Sequence, residues 1–215
     1  MENLFYISTL QIPSTVQVTE TLHTFQFSGP LGILEYRKSQ IDSLGLAFTF
    51  LEAKSLQIFV KKTSKNSKSL FGSLQTFYTK IFHGVSQGFL VSLELVGVGF
   101  RAFEHQKTES KSDSTLESSS VPLLPDEFSS HHLHTISSLV EFKIGQSHQM
   151  ITPVPQNLRV FYIKPTILSF YGLDHNQLTQ FTATIRKLRL PDPYKGKGIR
   201  LKGQVIPLKI GKKKS

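Results

Sequence analysis

An α+β fold of two tandem units, each pairing antiparallel strands with one packed helix, is what this sequence predicts. Three observations carry that expectation. Runs that alternate apolar and polar residues at period two fill the first third of the chain. Two stretches, Leu70 to Val85 and Leu178 to Leu188, switch to helical spacing. A serine-rich segment inside the second unit has neither period. The 215 residues, 39% apolar and 19% charged, exclude disorder of the whole.

In the first unit, residues 1–88, the runs Thr15 to Thr19, Leu22 to Phe27, Leu46 to Leu51 and Leu56 to Val60 read as strands with one buried face. Gly29-Pro30-Leu31-Gly32 has the residues of a hairpin turn, because glycine permits positive φ and proline fixes its own. A basic, serine-containing bridge, Lys61 to Ser69, leads to Leu70, Leu74, Phe77, Ile81 and Val85, the buried stripe of one amphipathic helix.

The second unit, residues 89–190, opens with Leu90 to Phe103, read as one long strand. Gly97 and Gly99 inside it mark a bulge or a close approach by another backbone, or else local twist alone. Glu104 to Ser138 holds 10 serines and six acids against two bases, the composition of an inserted loop. His131, His132 and His134 fall inside it without cysteine or a carboxylate frame, so no metal site is expected. Strands resume at Leu139 to Ile144, Gln156 to Ile163 and Thr166 to Phe170. Asp174 then stands ready to cap a helix, with Gln177 in the capping-box position. Leu178, Phe181, Ile185 and Leu188 form the stripe of that helix, and Pro191 ends it. The order of parts repeats that of the first unit, as an internal duplication would.

Charge is concentrated at one end. Up to Ile185 there are 14 Lys+Arg and 14 Asp+Glu, whereas Arg186 to Ser215 carries 11 Lys+Arg against the single acid Asp192, so the net +10 resides there. A neutral body with a cationic end suits a polyanion, since each lysine that neutralises a phosphate also releases counterions; the alternative is a solvated basic tail. Within residues 191–215, Lys195, Lys197 and Arg200 supply charge, Tyr194 can stack on a base, and Gly196 and Gly198 let backbone approach a ligand. Lys202, Lys209, Lys212, Lys213 and Lys214 extend the track, and Arg186, Lys187 and Arg189 also suit the negative end of the helix dipole. Ile199, Leu201, Val205, Ile206, Leu208 and Ile210 alternate as a two-strand ribbon would, the alternative being an apolar face for a membrane surface or protein scaffold.

Catalysis is not expected. The eight histidines lie in no serine-elbow or zinc-protease context, the acids Glu94, Glu141 and Asp174 are scattered, and no glycine-rich phosphate loop opens a helix. Absence of cysteine excludes disulfides and thiolate chemistry. No stretch is apolar for the roughly 20 residues of a membrane span. MENLFYISTL resembles neither a secretory signal nor an Arg-rich transit peptide, so the expectation is a protein made where it works or one already stripped of a presequence.

Through LELVGVGFRAF (93–103), GLDHNQLTQFTATIRKLR (172–189) and PDPYKGKGIR (191–200), the chain resembles the bacterial-type large-subunit ribosomal protein six family. IPSTVQV, FSGPLGIL and HGVSQGF extend the resemblance into the first half. It implies two α+β domains related by duplication and a structural constituent of the large subunit near its factor-binding region and sarcin-ricin loop. The implied partners are large-subunit ribosomal RNA and neighbouring ribosomal proteins, with no cofactor, metal, membrane or small-molecule substrate. By position, Tyr194, Lys195, Gly196, Lys197, Gly198 and Arg200 match the family's Y-K-G-K-G-I-R stretch, and the lysines beyond match its basic tail. Gly97, Gly99 and Arg101 match its strand glycines and following arginine. The chain departs in the uncharged STLQIP near its start, in Leu31 and Thr179 where the family has lysine and glycine, and in the insertion. These departures, with 17 phenylalanines, point to a mitochondrial ribosome, with plastid and bacterial cytoplasm as alternatives. An assembly factor that leaves mature subunits is the other function the same basic track would serve.

Overall fold

The computed structural model describes residues 4–41, 46–52, 54–62, 65–105 and 139–211. In the first half, β1 (Phe5–Gln11) pairs antiparallel with β6 (Ser55–Lys61) in register from Phe5↔Lys61 to Gln11↔Ser55, and β5 (Ala47–Leu51) pairs with the other side of β6. A second sheet is the meander β2 (Gln17–Glu20), β3 (Thr24–Gly29) and β4 (Gly32–Arg37), followed by a single turn, α1 (Lys38–Ile41). The turn forms at Gly29 to Gly32, with those glycines opposite each other across Pro30-Leu31, but it returns into β4 and not into the run Leu46 to Leu51, which lies in the other sheet as β5.

Both sheets pack on α2 (Lys65–Ser86), which begins five residues before the first apolar residue of its stripe. Leu74, Tyr78, Ile81, Phe82 and Val85 are buried against Phe25 and Phe27 of β3 and Leu56, Ile58 and Val60 of β6. Period-two alternation in a strand and 3.6-residue periodicity in a helix thus meet in one core. Removing each such side chain from water contributes roughly 1.5–3 kcal/mol.

The second half is built around β7 (Phe89–Val96). Reading across, its sheet runs β11 (Leu158–Lys164), β12 (Ile167–Gly172), β7 and β13 (Gly198–Leu201), all antiparallel. A second sheet holds β8 (Arg101–His105), β9 (Leu139–Lys143) and β10 (Met150–Pro153). α3 (His175–Leu188) covers the core through Leu178, Phe181 and Ile185.

Four expectations need correction. Leu90 to Phe103 is not one strand, because Val96 ends β7 and Arg101 begins β8 in the other sheet. The corner between them buries Phe100, whose ring lies within 3 Å of where a Gly97 Cβ would stand, and holds Gly99 at φ +76, a left-handed conformation with open space around it. Glu104 and His105, placed in the insertion by composition, belong to β8, where His105 opposes Leu139 of β9. Residues 106–138 therefore connect adjacent strand ends; they and the three histidines lie outside the described residues.

The capping box at α3 does not form. Asp174 accepts from the Asn176 amide at 2.8 Å, while Gln177 Oε1 accepts from the Asn157 side chain at 3.4 Å. Nor is there a two-strand ribbon in the tail. Residues 198–201 join β7 instead, since that strand has a free side there, and 202–211 carry no strand, leaving Val205, Leu208 and Ile210 exposed.

The two halves meet where the end of α2 crosses the turn before α3. A Cβ on Gly84 would run into the carbonyl oxygen of Leu173. Within the first half, the Leu31 amide donates to the Val85 carbonyl at 3.3 Å and holds the β3–β4 turn against the end of α2. His83 stacks on Phe89 at 5.0 Å, and Phe89 meets the edge of His175 at 4.9 Å. The Tyr36 phenol of β4 is raised above its ordinary pKa by burial first and by the nearby Asp174 carboxylate second.

Candidate nucleic-acid interface

α3 stops at Leu188 because Arg189 turns to extended backbone, φ −150 and ψ 91. The Arg189 carbonyl accepts the Ile199 amide at 2.9 Å, so the end of the helix is tied to the beginning of β13. β13 is held in turn by β7, from Gly198↔Val96 to Leu201↔Leu93, with Ile199 fully buried. Residues 190–197 thus form a loop whose two feet stand on the core.

Inside that loop Asp192 makes four hydrogen bonds. Its carboxylate accepts the Tyr194 amide at 3.0 Å and the Lys195 amide at 3.3 Å. Its own amide donates to the Lys197 carbonyl and its carbonyl accepts the Gly196 amide, both at 2.8 Å. Gly196 closes the turn at φ +68, where a side chain would be strained. The tail returns to the same loop, since the Lys209 amide donates to the Pro193 carbonyl at 2.8 Å.

The side chains this frame displays are Tyr194, 57% exposed, with Lys195 and Lys197 exposed beside it. None of the ion pairs among the described residues involves Lys195, Lys197, Lys202 or Lys209. Lys202 is exposed just past β13, its amide donating to the Ser92 carbonyl at 2.9 Å. At the end of α3, Arg189 is exposed and Arg186 half-buried, with its Nε buried and without a hydrogen-bond partner among the described residues.

Other expected site residues have different surroundings. Gly198 is buried, and a Cβ there would come within 2.5 Å of Pro191 Cα, so its small size serves packing of the loop against the strand. Arg200 is paired with Glu94. Gly97 and Gly99 lie in the corner just past Val96, the partner of Gly198. Arg101 is exposed at the start of β8, opposite Lys143 in the second sheet. Lys212, Lys213 and Lys214 lie outside the described residues.

An exposed tyrosine followed by two lysines without an ion pair among the described residues, on a loop pinned at both ends, can hold phosphates by charge and stack a base, with the scaffold already ordered. The sequence counted Asp192 as the lone acid in a basic stretch and missed its structural part. The available signal was its position just before Pro193-Tyr194-Lys195, where an aspartate can accept amides two and three residues on. Glu94 gave no such signal, because its partner is 106 residues away. Among the described residues no cluster of histidine and acid could hold a metal, and no helix is long and apolar enough to cross a membrane.

No family model matches the chain. It is 32% identical over 221 residues, covering 100% of both chains, to the large ribosomal subunit protein uL6m of Prototheca wickerhamii. Against the large ribosomal subunit protein uL6 of Bradyrhizobium sp. strain ORS 278 it is 28% identical over 203 residues, 94% of each chain. With that of Mesorhizobium japonicum it shares 28% identity over 205 residues, 95% of this chain and 96% of the relative.

Proposed function

The chain belongs to the uL6 family of large ribosomal subunit proteins, and we propose that it holds ribosomal RNA through the 192–197 loop and the cations around it. It is a structural constituent of the large subunit of the mitochondrial ribosome, where it binds large-subunit ribosomal RNA and adjoins other ribosomal proteins. The observation that carries this is identity with a mitochondrial member along the whole of both chains. The role is structural rather than catalytic, near the factor-binding region and sarcin-ricin loop.

Two domains, 1–88 and 89–190, carry a basic tail, 191–215. The reading of the halves as a duplication is supported by their shared order, in which antiparallel strands forming two sheets precede one long helix. Within the interface, Tyr194, Lys195, Lys197, Lys202, Arg186 and Arg189 face RNA with Lys212, Lys213 and Lys214 beyond them. Gly196 and Gly198 shape the loop, Gly97 and Gly99 the adjoining corner, and Arg101 and Arg200 complete the cationic set.

The test is sedimentation of a tagged copy from mitochondrial lysate through sucrose gradients at moderate and high salt. Stoichiometric migration with large subunits through the salt wash is the expected result. Migration with precursor particles alone would make the protein an assembly factor, and recovery at the top of the gradient would remove it from the ribosome. In the same assay, Lys195→Glu with Lys197→Glu should release the protein at lower salt.

A further inference from the structure

We propose that Asp192 is a positioning residue for RNA recognition, an anion kept within a cationic surface because its carboxylate shapes the loop that presents Tyr194, Lys195 and Lys197. This rests on the reading of that loop as an RNA contact.

Charge alone argues against an acid at this place. Asp192 is the one Asp or Glu among the last 30 residues, which carry 11 Lys+Arg. A carboxylate three and five residues from the phosphate-binding lysines lowers the local positive potential and opposes capture of a polyanion. Among the described residues it makes no ion pair with those lysines. Its oxygens are turned to the amides of Tyr194 and Lys195.

Those bonds have few substitutes. Residues 193–197 have no place in the sheet or in α3; apart from the Lys209 amide on Pro193, their hydrogen bonds among the described residues run to Asp192, with Gly196 and Lys197 held by its main chain and the Tyr194 and Lys195 amides by its carboxylate alone. Without the carboxylate, the Tyr194 and Lys195 amides turn to water and the loop samples other shapes. The RNA must then order it on binding, which costs affinity. The carboxylate opposes binding through charge and favours it through order, so truncation and neutralisation separate the two effects.

The experiment uses the full chain and the organelle's large-subunit ribosomal RNA, transcribed in vitro, with affinity measured across a range of salt. Asp192→Ala raises the net charge by one yet should bind roughly tenfold more weakly, because two amide bonds to a charged acceptor are lost. Its slope of log affinity against log salt should be shallower, because lysines out of place neutralise fewer phosphates. Asp192→Asn retains one acceptor oxygen and should fall between that variant and the native chain. If both variants bind as tightly as the native chain or more tightly, charge alone governs the loop and the proposal is wrong. Should Asp192→Ala melt early, Asp192→Asn decides, with weaker binding at a native melting temperature as the supporting result and tighter binding as the opposing one. Lys195→Ala with Lys197→Ala leaves the Asp192 bonds in place. Unchanged affinity and slope in that variant would overturn the RNA reading itself, and the proposal with it.

Discussion

Arg200 and Glu94 face each other across β13 and β7, with the guanidinium Nε and Nη2 each 3.1 Å from the same oxygen, Oε2 of Glu94. Their side chains are 35% and 22% exposed, so solvent screens the pair, and its contribution to stability lies at or below about 1 kcal/mol. Its larger consequence is electrostatic, because the charge of Arg200 is already balanced. Glu94→Gln should free that charge, raising affinity for ribosomal RNA at low salt and steepening the salt slope by about one phosphate contact. An unchanged slope would mean that Arg200 meets no phosphate.

The connection between β8 and β9 leaves at His105 and returns at Leu139, two residues directly opposite in the ladder. Shortening it therefore demands no movement of either strand, and loop-closure entropy changes slowly with length. Deleting residues 108–119 should leave the melting temperature within a few degrees of the native value and the protein present in large subunits. Loss of the protein from those subunits would assign the segment a part in assembly.

Two glycines of α2 should respond in opposite directions to alanine. Nothing lies within 4 Å of a Cβ on Gly72, so Gly72→Ala should stabilise by up to about 1 kcal/mol through helix propensity. Gly84 abuts Leu173 of the other half, so Gly84→Ala should destabilise by about 1–3 kcal/mol despite the same propensity gain. Urea denaturation of the two variants measures the difference.

Burial first, and the charge of Glu104 second, push the Tyr162 phenol from 10.0 to about 12. A folded-state pKa above the unfolded one contributes stability that is fully present below pH 10 and lost as the pH rises toward 12. The Tyr162 hydroxyl is also buried without a hydrogen-bond partner among the described residues. Tyr162→Phe should therefore match or exceed native stability at neutral pH and show a flatter decline between pH 10 and 12 in melting curves. A decline as steep as that of the native chain would assign alkaline unfolding to other groups.

Local chemistry made several elements legible. The Gly29 to Gly32 hairpin follows from its turn residues, and the stripes of α2 and α3 follow from their spacing. β1 went unread because Phe5 and Ile7 are exposed while Tyr6 and Leu10 pack on the core, so both faces are apolar and the period blurs. The corner at Gly97 to Gly99 was half legible. The two glycines mark an irregularity, and the buried positions shift there from Leu93 and Leu95 to Phe100 and Ala102, but nothing local says that the chain changes sheets between Val96 and Arg101.

The candidate interface divides along the same line. Its position in the chain and its cationic character are properties of composition and order, which one-dimensional reading captures. Which cations remain unpaired is a property of distance. Arg200 meets an acid 106 residues away, Lys195 and Lys197 meet none among the described residues, and Asp192 spends its charge on amides. Those assignments exist after strands from opposite ends of the second half lie side by side, because an ion pair or hydrogen bond depends on ångström separations that chain order does not encode.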